Sequence, residues 1–98
     1  MTLPSYYPVF LNLRGKRCIV VGGGRVAERK VLSLLESGAD ITVISPEVTK
    51  RLRKESVKRL NRAKGSSGKI RHIPRKYKKG DLKNAFLVIA ATDSNEIN

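Results

Sequence analysis

The chain has 98 residues, 21 Lys or Arg against 8 Asp or Glu, and a formal net charge of +13 at pH 7. That length suits one small domain, and a single cysteine, Cys18, excludes an internal disulfide. No stretch is apolar enough to span a membrane and the N-terminus lacks the basic start and apolar core of a signal peptide, so a cytoplasmic location is the expectation.

Residues 3–13 are apolar with two prolines and predict an extended arm packed on the domain edge, with Tyr6 and Tyr7 as packing groups. Arg14-Gly15-Lys16 turns into a first strand ending Cys18-Ile-Val-Val21. Its continuous apolar run suits a buried parallel strand, and Cys18 reads as core. Three glycines, Gly22 to Gly24, follow, and helix resumes at Arg25. From Arg25 to Ser37, Val26, Val31, Leu32, Leu34 and Leu35 make an apolar face, with Glu28, Arg29, Lys30 and Glu36 between them. Gly38 sits where a left-handed cap ends a helix. Asp40 to Ser45 then reads as a second strand.

Strand, glycine turn, helix and strand together fit the dinucleotide fingerprint, written here Gly22-x-Gly24-x-x-Ala27. The chemistry is plain. Glycine permits a sharp turn and close backbone approach, and a helix N-terminus offers unpaired N–H groups to a phosphate.

Ser45-Pro46-Glu47 predicts a second helix, with Ser45 as N-cap and Pro46 at the first helical position. It is expected to run to about Lys64, on a narrow stripe of Val48, Leu52, Val57 and Leu60. Gly65 to Gly68 is a loop. Ile70 to Ile73 is a short third strand stopped by Pro74, and Tyr77 with Gly80-Asp81-Leu82 marks a turn or one helical turn. Phe86 to Ala91 predicts a fully buried fourth strand, and Asp93 with Glu96 has capping-box spacing for another helix.

The predicted fold class is α/β: a Rossmann-like NAD(P)-binding domain over residues 1–98, with a parallel sheet in the order 3-2-1-4, truncated after strand four. Ligands in such sheets bind at the carboxyl ends of the strands, at the switch point. That gathers Gly22–Val26, Ser45–Glu47 and Ala91–Asp93 around one crevice.

These residues carry a more specific likeness. Tyr7-Pro-Val-Phe-Leu-Asn-Leu-Arg-Gly-Lys16, the run Val20-Val-Gly-Gly-Gly-Arg-Val-Ala-Glu-Arg-Lys30, Thr42-Val-Ile-Ser-Pro46 and Leu87-Val-Ile-Ala-Ala-Thr-Asp93 closely resemble the N-terminal domain of siroheme synthases and the single-function precorrin-2 dehydrogenases. The resemblance covers nearly the whole chain. It implies NAD-dependent oxidation of precorrin-2 to sirohydrochlorin, with iron insertion in some members. By position it assigns the pyrophosphate to Gly22, Gly24, Arg25 and Val26. Ser45, Pro46 and Glu47 would border the adenosine ribose, and Thr92 would lie across the crevice. It assigns residues 1–98 no catalytic residue and no metal ligand. The family's aspartate, general base and metal contact, follows a fifth strand in an Asn-Val-x-Asp-like segment that residues 1–98 do not contain, nor do they contain the dimerisation region. The expectation is a fragmentary enzyme that binds dinucleotide without oxidising precorrin-2.

The second strand ends in Ser45 where many NAD sites carry an acid for the ribose 2′-hydroxyl. Glu47 could serve instead, while Lys50 and Arg51 could accept a 2′-phosphate; NAD is favoured on the resemblance, and NADP stays open.

Residues 50–79 hold fourteen Lys or Arg and one acid, Glu55, so all the excess charge lies there. Three readings compete: a solvated charged surface, a cationic rim that concentrates an anionic tetrapyrrole, and a phosphate-binding face for nucleic acid. The last is disfavoured, because Tyr77 is the segment's one aromatic and offers no stacking platform. His72, the one histidine, lacks the company of a metal site. Competing functions are a regulatory NAD-sensing module and a basic nucleic-acid-binding domain. An exposed apolar edge at strand four predicts self-association into a homo-oligomer.

Overall fold

The computed structural model describes residues 5, 7–60 and 68–91, with the side chains of 57–60 outside the description. The elements are β1 (Arg17–Val21), α1 (Arg25–Glu36), β2 (Asp40–Ile44), α2 (Lys50–Leu60), β3 (Ile70–Ile73) and β4 (Leu87–Ala90). The strands form one sheet in the order β3-β2-β1-β4. Every pair is parallel, and Val20 lies opposite Val43 on one side and Ile89 on the other. The order is the one the sequence predicts. A strand–helix–strand path that steps twice in one direction and then returns to the far side of β1 leaves the switch point between β1 and β4.

Helix α1 forms because its apolar residues recur at helical spacing, and it buries Ala27, Val31, Leu34 and Leu35. It stops at Ser37 through a Schellman cap: Gly38 N–H donates to the Leu35 carbonyl (3.0 Å) and Ala39 N–H to the Leu34 carbonyl (3.2 Å). Gly38 has φ 78°, a conformation that favours glycine. The cap sets the angle at which the chain re-enters the sheet as β2.

One core unites Cys18 and Val20 of β1, Ile41 and Val43 of β2 and Ile70 of β3 with the buried faces of α1 and Leu52 of α2. Both helices therefore cover the same face of the sheet. Each Val, Leu or Ile buried there stabilises by about 1.5–3 kcal/mol. Cys18 is fully buried in this core. Ile19 and Ile44 alternate with these positions along their strands and are also buried.

Three expectations are corrected. First, α2 begins at Lys50, not at Pro46. The Ser45 hydroxyl donates to the Glu47 carbonyl (2.7 Å) rather than receiving an amide. The cap is Thr49, whose Oγ1 accepts the Leu52 N–H at 3.2 Å. Second, β4 is not fully buried: its residues alternate between half-buried and exposed. Val88 is 39% exposed, because among the described residues β4 pairs only with β1. Third, the arm does not pack on the domain edge. Tyr7, Val9, Phe10 and Leu11 are all exposed, and Leu13 is the first buried residue of the segment. Pro8 lacks the N–H with which an arm would extend a sheet. The turn expected at Gly80–Leu82 is found: residues 79–84 form successive turns closed by Asp81 N–H to Lys78 O and Lys83 N–H to Gly80 O. The predicted end of α2 near Lys64, most of the 65–68 loop and the capping pair Asp93–Glu96 lie outside the described residues.

Candidate functional site

The carboxyl ends of β1 and β2 lead into two turns, residues 22–24 and 45–49, that are fastened to each other. Gly22 N–H donates to the Ile44 carbonyl at 3.0 Å, and Thr49 N–H donates to the Gly23 carbonyl at 3.1 Å. Gly22 has φ 126°, which side-chain-bearing residues rarely adopt. Gly23 packs so closely on the second turn that a Cβ there would lie 1.9 Å from the Glu47 carbonyl oxygen and 2.8 Å from Ser45 Oγ. Gly24 is the N-cap of α1, and no side chain caps that end. The first amides of α1 therefore have no intrahelical acceptor, and the helix dipole adds partial positive charge there.

A hydrogen-bonded chain runs from α1 to α2. Thr49 Oγ1 donates to Glu28 Oε1 at 2.7 Å and accepts the Leu52 amide. Glu28 stands in the first turn of α1. On the far side of β2, Ser45 N–H donates to the Ile73 carbonyl at 3.2 Å, and His72 Nε2–H donates to the Ser45 carbonyl at 2.8 Å. The end of β2 is thus held from both flanks. Beyond β4, Ala91 N–H donates to the Val21 carbonyl at 2.8 Å, which carries the chain to the crevice.

Of the residues singled out in the sequence, Gly22, Gly24, Arg25, Val26, Ser45, Pro46 and Glu47 meet at these two turns. Thr92 lies outside the described residues. Arg25, Pro46 and Glu47 are exposed, whereas Ser45 is half-buried with its hydroxyl committed to the Glu47 carbonyl. Three residues the pattern did not single out prove central: Gly23, Thr49 and Glu28. Three consecutive glycines were the available signal for the first. The other two carry none, since they meet across 21 positions of sequence.

Charge around the turns is mostly positive. Lys50, Arg51, Arg53 and Lys54 are exposed on α2. Burial, with the Asp40 carboxylate adding to it, pushes the Cys18 thiol up, so it stays protonated in the core. Away from the site, Arg75 makes a bidentate pair with Asp81, both bonds 2.8 Å. Among the described residues no three of His, Cys, Asp and Glu cluster as metal ligands, and no helix is long and apolar enough to cross a membrane.

A strand ending in a left-handed glycine, an uncapped helix N-terminus and a switch point beside it fit the pyrophosphate of a dinucleotide. A family model described as "Putative NAD(P)-binding" matches residues 9–98. The chain belongs to this NAD(P)-binding family. The NAD(P)-binding domain is similar to siroheme synthase of Nitrosococcus oceani, 41% identical over 94 residues that are 96% of this chain and 18% of that protein. It is similar also to siroheme synthase of Methylobacillus flagellatus, 43% identical over 93% of this chain and 18% of the relative. A solved structure of SirC, precorrin-2 dehydrogenase, superimposes with a TM-score of 0.78 at 33% identity, covering 95% of this chain and 42% of that one. The NAD(P)-binding domain thus spans under a fifth of these synthases and under half of the dehydrogenase. The resemblance read in the sequence, and the Rossmann-like fold it implied, are both found.

Proposed function

We propose that this chain is the cofactor-binding part of an enzyme that oxidises precorrin-2 to sirohydrochlorin with NAD in siroheme biosynthesis. The observation that carries the reading is the uncapped N-terminus of α1 beside a left-handed Gly22, in a chain 33% identical to a precorrin-2 dehydrogenase across 95% of its length. When bound, NAD supplies the hydride acceptor. In this reading the backbone of Gly22, Gly24, Arg25 and Val26 holds the pyrophosphate. Ser45, Pro46 and Glu47 border the adenosine ribose, and Thr92 approaches from the β4 side. NAD is preferred on the likeness to the dehydrogenase. NADP is the competing cofactor, since no carboxylate ends β2 and Lys50 and Arg51 stand exposed at the start of α2.

The exposed cations of α2 and of residues 69–79 give the domain a basic surface. In this reading they raise the local concentration of the polycarboxylate tetrapyrrole by electrostatic steering. The general base belongs to a segment after a fifth strand. Residues 1–98 therefore bind dinucleotide without turning over the substrate, and iron insertion, where it occurs, uses other residues. The outer edge of β4, with Val88 and Phe86 exposed, is the expected site of self-association. The reading places the work in the cytoplasm.

Three measurements test it. Calorimetry is expected to show NAD binding to the 98-residue chain, and precorrin-2 absorbance is expected to stay constant over time with NAD present. Failure to bind NAD overturns the cofactor reading; turnover overturns the division of labour. Light scattering at high concentration checks the oligomer, and a monomer at every concentration counts against it.

A further inference from the structure

The Thr49–Glu28 bond has no counterpart in the fingerprint, yet it joins the two halves of the crevice. Glu28 stands in the first turn of α1, behind the glycine turn, and Thr49 is the N-cap of α2, behind the Ser45–Glu47 turn. Thr49 ties this junction to the first turn of α2. Its amide bonds Gly23 O (3.1 Å), its hydroxyl donates to Glu28 Oε1 (2.7 Å) and accepts from Leu52 N–H (3.2 Å), and its carbonyl accepts from Arg53 N–H (3.1 Å). The hydroxyl contact is a charge-assisted bond between half-buried groups, a class roughly twice as strong as a neutral one.

We propose that Thr49 and Glu28 are positioning residues that set the spacing between the pyrophosphate turn and the ribose turn, so that one dinucleotide engages both at once. The inference rests on the cofactor reading above. Its physical content is preorganisation. A ligand that spans both turns gains from having their separation fixed beforehand, whereas a ligand that touches one turn does not. Valine at 49 keeps the shape of threonine and removes both hydroxyl bonds. Serine keeps the hydroxyl. Glutamine at 28 keeps an acceptor oxygen without the charge.

The test compares ligands rather than stabilities alone. The 98-residue chain and its Thr49→Val, Thr49→Ser and Glu28→Gln variants are titrated by calorimetry with NAD, with ADP, which spans both turns, and with pyrophosphate and adenosine, which each touch one. Thr49→Val is expected to weaken NAD and ADP about tenfold, the equivalent of one hydrogen bond of about 1.4 kcal/mol. It is expected to change pyrophosphate and adenosine by less than about twofold. Thr49→Ser restores NAD and ADP to within about threefold of the parent, and Glu28→Gln falls between. Equal losses for all four ligands, or a lowered melting temperature with NAD affinity unchanged, overturn the proposal and leave the pair a purely structural cap. If the parent chain binds neither NAD nor ADP, the cofactor reading itself fails and the inference falls with it.

Discussion

A Cβ built on Gly23 would lie 1.9 Å from the backbone carbonyl oxygen of Glu47. The obstacle is main chain, held in turn by Ser45 Oγ, so it cannot swing aside as a side-chain tip would. Gly23→Ala is therefore expected to force the two turns apart. Overpacking of this kind costs about 1–3 kcal/mol, and calorimetric NAD affinity is expected to fall at least about tenfold. Gly15→Ala is the contrast. Gly15 has φ 70° with nothing within 4 Å of a Cβ, so it meets only left-handed strain of about 1–2 kcal/mol and leaves NAD affinity unchanged. Equal effects of the two variants on affinity would show that Gly23 has no special role at the site.

Placing a carboxylate where β2 ends is expected to sharpen cofactor choice. Ser45→Asp puts a negative charge beside the ribose edge of the proposed site, where it repels a 2′-phosphate and can bind a 2′-hydroxyl. The ratio of NADP to NAD dissociation constants should rise at least about tenfold relative to the parent, a like-charge cost of about 1.4 kcal/mol. An unchanged ratio moves the ribose away from residue 45.

The Arg75–Asp81 pair predicts a pH signature. The Arg75 guanidinium, with the Lys78 amide, holds the Asp81 carboxyl down to about 2 from an ordinary 3.8. A carboxyl depressed on folding contributes stability above its unfolded value and loses it as pH falls through the folded one. The gap in melting temperature between the parent and Asp81→Asn is thus expected to be constant above about pH 5 and to close as pH falls from 3.8 toward 2. A gap independent of pH down to about 2, the folded value, excludes the ion pair as its source.

Two substitutions separate core from arm. Ile41 is 2% exposed and Phe10 fully exposed. Ile41→Val is expected to cost about 0.5–1.5 kcal/mol. Phe10→Ala, which would cost about 3–5 kcal/mol from a core, is expected to stay within about 0.5 kcal/mol in a monomeric sample. Urea unfolding measures both. A large loss at Phe10 would mean that the arm folds onto the domain or onto a second copy.

What the sequence made legible follows a physical divide. Local signals worked where one dominated. The Leu34–Ala39 cap, the parallel runs of β1 and β2 and the strand order all follow from apolar period, glycine placement and crossover rules. They failed where two candidates of one chemistry lay close together. Ser45 and Thr49 are both cap formers, and proline after Ser45 favoured the wrong one. The choice was made by Glu28, 21 residues away, which receives the Thr49 hydroxyl. Gly23 was visible as the middle of three glycines, but its role was not. In the fingerprint its place accepts any residue, and only the return of the second turn onto it removes the room for a Cβ. For β4 the run Leu87-Val-Ile-Ala90 looked buried because apolar content does not reveal how many neighbours a strand has. Among the candidate residues, position at the turns was legible and side-chain partners were not.

The parallel pairing of β1 with β4 joins Cys18 to Leu87 and Val21 to Ala90. The strand that presents the glycine turn thus waits for a partner made almost at the end of the 98 residues. During synthesis, β1, α1 and β2 can associate early from near neighbours, but β1 remains open on one side until β4 has left the ribosome. Long-range parallel pairings of this kind fold slowly and leave an apolar edge uncovered meanwhile. Delay at that step is where a chaperone would be needed.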